Sequence, residues 1–317
     1  MSLSIIIPST GERTDVLFET ITASLRALDN ISGEVIVIKN EVKDIFINHP
    51  KLRLVDVSFN NVSASRNLGA KLATNELLCF IDDDMLITAD NLRRFQAVEA
   101  STPAPYLLSA VWEHSLRVHQ LKETTFLGHM LGLQLPNDSF KTRYKNASLS
   151  NDWQDEAVFR SAMKKTFWEA CFSMRRADYL QIGGMNEHFD FGNEGVDFLN
   201  RVLNAGIDYY VDPTNVLVHN EWDKFNNWRI PEQRWRTEAR LVNQGKAVLA
   251  GSSRNYLYKL LYGVIIYAFA GPLRALLCGT SNQRQSSPFY FRLFNIYSTA
   301  IYWHEIRWNT IRQQAAA

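Results

Sequence analysis

Cysteine is scarce in this chain of 317 residues: Cys79, Cys171 and Cys278 stand far apart, with no CxxC pair and no zinc-ligand spacing. That excludes a disulfide framework and a structural zinc module, and fits a reducing compartment. Net charge is low, at +1, so no nucleic-acid surface is expected. No charged leader precedes an apolar run at the amino end, where Ser4-Ile5-Ile6-Ile7-Pro8 follows almost at once, so no signal peptide or amino-terminal membrane anchor is expected. Acid is nearly absent after Gly251: Glu305 alone faces seven lysines and arginines, which makes the tail +6 and the first 250 residues −5. The tail's apolar stretch 256–277 is broken by Lys259, Gly271-Pro272 and Arg274. Its uncharged runs fall short of the roughly 18–20 residues of a spanning helix.

What is present is an apolar run ending in acid, Leu77-Leu78-Cys79-Phe80-Ile81-Asp82-Asp83-Asp84. Five uncharged residues suit a strand buried on both faces, and three aspartates cannot continue into that core without a large desolvation cost. They belong at the strand's end, facing water or a cation. Strand alternation would point Asp82 and Asp84 one way and Asp83 the other. Two carboxylates at that spacing make half of a hard divalent-cation site, and a solvated acidic turn is the plainer reading.

Upstream, apolar runs predict strands at 3–7, 34–39 and 52–57, with helices at about 14–28 and 63–73. Strands alternating with helices indicate an α/β sheet, which binds ligands at the carboxyl ends of its strands. Thr10, Asn40 and Glu41 join the aspartates there. Ser63 is placed to cap the second helix, and Arg66 in its first turn runs against the dipole preference for acids, so it calls for a nearby anion. Another strand is expected within 103–111, whereas 112–165 shows no clear period and reads as a loop region or lid.

Pattern returns at 167–174, a strand running into Arg175-Arg176, followed by a short helix stopped by Gly183-Gly184. Asn193 is a good cap for a helix on which Glu194, Asp197 and Arg201 share one face. A strand pair, 207–211 and 215–218, ends in His219. Residues 221–245 mix Trp222, Trp228 and Trp235 with arginines, suiting either packing or contact with a sugar diphosphate. The basic, aromatic tail suits helices lying on a membrane interface; a packed helical hairpin or a homodimer interface is the alternative.

Together these segments resemble a family 2 glycosyltransferase of GT-A fold. The resemblance rests on Ile5-Ile6-Ile7-Pro8-Ser9-Thr10, Ser65-Arg66-Asn67-Leu68-Gly69, the DxD motif in Phe80-Ile81-Asp82-Asp83-Asp84, and Ile182-Gly183-Gly184-Met185-Asn186-Glu187-His188-Phe189 before the acidic helix. In order and spacing they cover about 3–220. The resemblance implies one mixed Rossmann-like sheet flanked by helices, with a C-terminal helical extension. It divides the chain into a nucleotide-sugar half (1–110), an acceptor-binding and catalytic half (111–250) and the extension (251–317). It gives Pro8, Thr10, Glu12, Asn40, Arg66, Asp82 and Asp83 to the nucleotide sugar. Asp84 and Asp82 would hold Mn²⁺ or Mg²⁺, joined by His219 as in galactosyltransferase-like branches. Family members commonly carry Glu-Asp where this chain has Glu194-Gly195, so Glu194 is expected as the base, with Asp197 second. The implied reaction is inverting transfer from a nucleotide sugar, in first place a UDP-sugar, to a hydroxyl of a glycan or lipid-linked acceptor at the cytoplasmic face of a membrane. A sugar nucleotidyltransferase would need a glycine-rich, lysine-bearing loop, which Ser9-Thr10-Gly11-Glu12-Arg13 renders poorly. A non-catalytic carbohydrate-binding or scaffold protein is the reading that Gly195 keeps open.

Overall fold

The four apolar runs are strands β1 (Leu3–Ser9), β2 (Gly33–Asn40), β3 (Leu52–Val57) and β4 (Leu77–Ile81) in the computed structural model. It describes residues 2–11, 13–40, 45, 47–134, 169–188, 194–225, 227–230, 232, 235–236, 239, 270–278 and 288–316. The expected cap Asn193 and residues Glu12 and Glu41 lie outside that set. The chain divides into two compact units, Met1–Ser115 with Asn137–Glu221, and Leu116–Pro136 with Trp222–Ala317.

The first unit is built on an eight-stranded mixed sheet. Its other strands are β5 (Met85–Leu86), β6 (Tyr106–His114), β7 (Cys171–Arg175) and β8 (Asp208–His219), and the order is β3-β2-β1-β4-β7-β6-β8-β5. β1 to β4 pair in parallel, β7 runs antiparallel to β4 and β6, and β8 is parallel to β6. The expected strand pair at 207–218 is one strand, with a bulge that absorbs Pro213, Thr214 and Asn215 as the register steps from Ala110–Asp212 to Val111–Val216.

Side-chain alternation divides the core. Leu3, Ile5, Ile7, Val35, Val37, Cys79 and Ile81 face one way, where α1 (Thr14–Ala27) contributes Leu17 and Ile21 and α3 (Ala89–Ser101) contributes Leu92 and Phe95. Ile6, Ile36, Ile38, Leu78 and Phe80 face the other, against α2 (Val62–Leu72), α6 (Arg176–Gln181) and α7 (Glu194–Asn204). Phe80 stacks on Phe172 with ring centroids 4.5 Å apart. α2 begins one residue earlier than expected, because the Asn61 side chain, not Ser63, accepts from the Ala64 amide.

The second unit contains α4 (Leu116–Thr124), α5 (Phe126–Gln134), a 3₁₀ turn (Trp222–Phe225), α8 (Ala270–Cys278) and α9 (Pro288–Ala316). α4 and α5 occupy part of the stretch expected to be irregular; α5 is apolar on most of its circumference and so lacks an amphipathic period. Trp228 and Trp235 pack edge-on against Phe294 and Tyr297 of α9, which is the packing reading of that segment. Among the described residues, no helix is long and apolar enough to cross a membrane.

Gly69 lets α2 approach the sheet: a Cβ there would stand 2.4 Å from Ile6 Cγ2. Gly69→Ala is therefore expected to cost about 1–3 kcal/mol in denaturant unfolding. In an Ile6→Ala background, where that methyl is gone, most of the penalty disappears. An equal penalty in both backgrounds would mean that the contact does not set the approach.

Candidate active site

The aspartates follow the strand rather than continue it. β4 ends at Ile81, and Asp82-Asp83-Asp84 make a turn leading into β5. Strand alternation therefore does not govern them, and the pairing of Asp82 with Asp84 on one side is replaced by a different division. Arg66 Nη2 donates to Asp82 at 2.6 Å, Ser9 Oγ donates to Asp83 at 2.6 Å, and Arg13 Nη1 donates to Asp84 at 2.8 Å while standing 3.6 Å from Asp83. The turn's backbone is fixed as well: Asp82 N donates to Ala170 O, Asn220 N to Asp84 O, and Thr20 Oγ1 of α1 to Asp83 O.

β8 brings His219 to this turn, its Nε2 3.2 Å from Asp84 Oδ2 and 3.8 Å from Glu221 Oε2. On the neighbouring strand, His114 Nε2 is 3.2 Å from Glu221 Oε1. Burial alone would raise Asp84, but the imidazole of His219 and the Arg13 guanidinium hold it well below the usual carboxylate range. Asp83 goes the other way, to about 6, because burial outweighs Arg13. Asp82 is likewise raised by burial against the pull of Arg66.

The donor set fits a divalent cation. Asp84 is 6% exposed, and its Oδ1 is buried without a hydrogen-bond partner among the described residues, which leaves that oxygen able to take a cation. Carboxylate and imidazole together suit Mn²⁺ as well as harder ions. Asp82 is committed to Arg66 in this arrangement.

The two sequence motifs on either side form one clamp. Asn67 of α2 donates to Met185 O and Glu187 Oε1, while its Oδ1 accepts from Met185 N and the Tyr179 hydroxyl. Gly184 meets Asn67 so closely, at φ +66°, that a Cβ would stand 2.3 Å from Asn67 Oδ1. Asp197 is held by Arg201 at 2.9 Å, and the same guanidinium donates to the Ile182 and Gly184 carbonyls. That places Asp197 in the support of the glycine turn. Glu194, at the start of α7, is 5% exposed, with its Oε2 unpartnered.

Arg66 joins these parts. Buried at 2% exposure, it is charged more firmly than usual: burial works against the cation, but Asp82, Glu169 and Glu194 outweigh it. Thr10 and Asn40 lie at the carboxyl ends of β1 and β2, Pro8 is buried in β1, and Asn40 Nδ2 donates to Phe59 O at 3.3 Å.

Sequence reading missed Arg13, His114, Glu169 and Glu221. Glu169 stood in view as an acid inside an apolar run, and Glu221 as an acid two residues beyond His219.

Residues 4–237 match the family described as glycosyltransferase-like family 2. The chain belongs to that family. The glycosyltransferase has the GT-A fold, as in the Pyrobaculum calidifontis mannosyltransferase PcManGT, solved with GDP-Man and Mn²⁺ (16% identity over 97% of this chain and 87% of that one, TM-score 0.53). Weaker likenesses are S. aureus TarS residues 1–349 (13%, 99% and 92%, TM-score 0.44) and the catalytic domain of Drosophila β1,4-galactosyltransferase 7 with xylobiose (15%, 69% and 70%, TM-score 0.40). No curated protein matches the chain in sequence.

Glu169 gives the glycosyltransferase a pH signature. Burial, with Glu194 and Asp82 adding to it against Arg66, pushes its carboxyl from 4.5 up to about 7. A carboxyl raised in the folded state favours folding below about 4.5 and loses that contribution as pH rises through about 7. Without added metal, the wild type should therefore lose thermal stability relative to Glu169→Gln between pH 5 and 8. Parallel melting curves across that range would show that Glu169 ionises freely.

Proposed function

We propose that this glycosyltransferase is an inverting, metal-dependent enzyme that moves a sugar from a nucleoside diphosphate, in first place UDP, to an acceptor hydroxyl. The reading is carried by one observation: Asp84, one oxygen of which is buried without a hydrogen bond among the described residues, meets His219 at the mouth of the parallel strands, while Glu194, whose Oε2 is likewise without one, lies within the electrostatic reach of Arg66. Pro8, Thr10, Glu12, Asn40 and Asp83 would take the nucleoside and diphosphate, within a nucleotide-sugar half (1–110) and an acceptor half (111–250).

Asp84 and His219 would hold Mn²⁺ or Mg²⁺, which when bound supplies positive charge for the departing diphosphate. Arg13, bonded directly to the Asp84 oxygen that His219 also faces and 3.6 Å from Asp83, adds a guanidinium that does not depend on any ion. Arg66 holds Asp82 in place and favours its ionised form against the effect of burial. Glu194 is the base: it takes the proton from the acceptor hydroxyl as that oxygen bonds to the anomeric carbon and the carbon–oxygen bond to the diphosphate breaks. Asp197 is supported less well in this role, because Arg201 occupies it. The acceptor is a glycan or lipid-linked sugar, of the kind consumed in polysaccharide synthesis, at the cytoplasmic face of a membrane. The +6 tail at 251–317 provides the contact with that surface.

A panel of UDP-, GDP- and dTDP-sugars, with Mn²⁺ or Mg²⁺, tests the reading through release of the nucleoside diphosphate. Glu194→Gln is expected to lower kcat by about 10²–10⁴-fold with donor KM little changed, and Asp84→Ala to remove metal-dependent turnover. Turnover unaffected by both exchanges would overturn the assignment. For the tail, co-sedimentation with phosphatidylglycerol vesicles should exceed that with phosphatidylcholine alone and fall with salt. Equal sedimentation with both would remove the membrane surface from the account.

A further inference from the structure

Beyond the Asp84–His219 pair lies a second imidazole that no motif singles out. β6 and β8 run parallel with His114 opposite His219 in register, so the two rings rise from one face of the sheet, 5.8 Å apart. Glu221 stands between them, one carboxylate oxygen 3.2 Å from His114 Nε2 and the other 3.8 Å from His219 Nε2. One ligand atom from each of these three residues can be chosen so that all lie within 4.8 Å of one another. Around a six-coordinate ion with bonds near 2.1 Å, adjacent ligand atoms stand about 3.0 Å apart and opposite ones about 4.2 Å. Three separations fall in that range: 3.2 Å from His114 to Glu221, 3.8 Å from Glu221 to His219 and 3.2 Å from His219 to Asp84. His114 is 6% exposed, and the Trp112 indole lies against both rings, 5.2 Å from His114 and 4.6 Å from His219.

We propose that His114 is a further metal-holding residue, acting with Glu221 beside Asp84 and His219, and that this second imidazole makes the site select Mn²⁺ over Mg²⁺. The inference rests on the metal-dependent reading above and decides between the two ions it allows. Mg²⁺ prefers six oxygens and gives up its water reluctantly, whereas imidazole nitrogen is a good ligand for the first-row transition ions. A site with one histidine and carboxylates serves both kinds of ion. Two histidines backed by the Trp112 indole leave fewer positions for water and disfavour the harder ion. Glu221 is then a ligand between the two imidazoles, since each of its oxygens faces the Nε2 of a different ring.

The test is metal binding by the full-length protein without donor or acceptor, with MnCl₂ and MgCl₂ titrated calorimetrically and bound Mn²⁺ followed by pulsed EPR. The wild type should bind one Mn²⁺ at least tenfold more tightly than Mg²⁺ and show coupling to two imidazole nitrogens. His114→Gln should weaken Mn²⁺ at least tenfold, leave Mg²⁺ within about twofold and lose one nitrogen coupling. Glu221→Gln, expected to weaken Mn²⁺ similarly, repeats the test if the first variant does not fold. Wild-type Mn²⁺ affinity and two nitrogen couplings in His114→Gln would overturn the proposal. If Asp84→Asn still abolished Mn²⁺ binding in that case, the metal-dependent reading would stand and His114 alone would leave it. Absence of Mn²⁺ and Mg²⁺ binding to the wild type would remove both.

Discussion

The cost of ending a wholly buried strand in three carboxylates is the constraint around which the first unit is arranged. β4 is buried along its whole length, and an unpaired charge at its end would lose several kcal/mol of hydration. The chain meets that cost separately for each aspartate: Arg66 for Asp82, Ser9 with Arg13 for Asp83, and Arg13 with His219 for Asp84. These partners come from α2, from the end of β1 and the loop after it, and from the end of β8, so the site forms only where the sheet has closed. Asp84 keeps an oxygen without a partner even so. Compensation is thus left incomplete at the point where a cation would complete it.

The clamp between α2 and the glycine turn serves the same end. Asn67 uses both ends of its amide on the turn at Met185 and Glu187, which brings α7 and Glu194 toward the helix that carries Arg66. Arg201 then fastens the start of that turn through two carbonyls while taking Asp197 with it. Glu169 resists ionisation chiefly because it is buried, and Glu194 and Asp82 add to this against the pull of Arg66. An acidic surplus around one arginine is suited to binding hydroxyl groups, which donate hydrogen bonds to carboxylates.

Much of the first unit was legible in the sequence, for a physical reason. Strands buried on both faces are uninterrupted apolar runs, so β1 to β4 declared themselves, and an α/β sheet followed from their alternation with α1 and α2, its mixed character being implied by the family resemblance. Elements whose form depends on distant partners did not. β5 is two residues long and exists as an edge partner of β8. The bulge in β8 looked like a break between two strands. α5 hid in an apolar stretch without period, and the division of the aspartates among three partners could not be inferred from spacing once the strand stopped at Ile81. Of the site, the family motifs brought Arg66, the aspartates, Glu194 and His219 into view. Arg13, Glu169, His114 and Glu221 became visible only as neighbours in space.

The central claim is that the acidic turn holds a divalent ion at Asp84, and anomalous scattering at the manganese edge measures it most directly. In crystals grown with MnCl₂ and UDP, the account predicts one strong peak within about 2.0–2.6 Å of an Asp84 oxygen and of His219 Nε2. A peak elsewhere, with Asp84 still held by Arg13 and His219 alone, would contradict it.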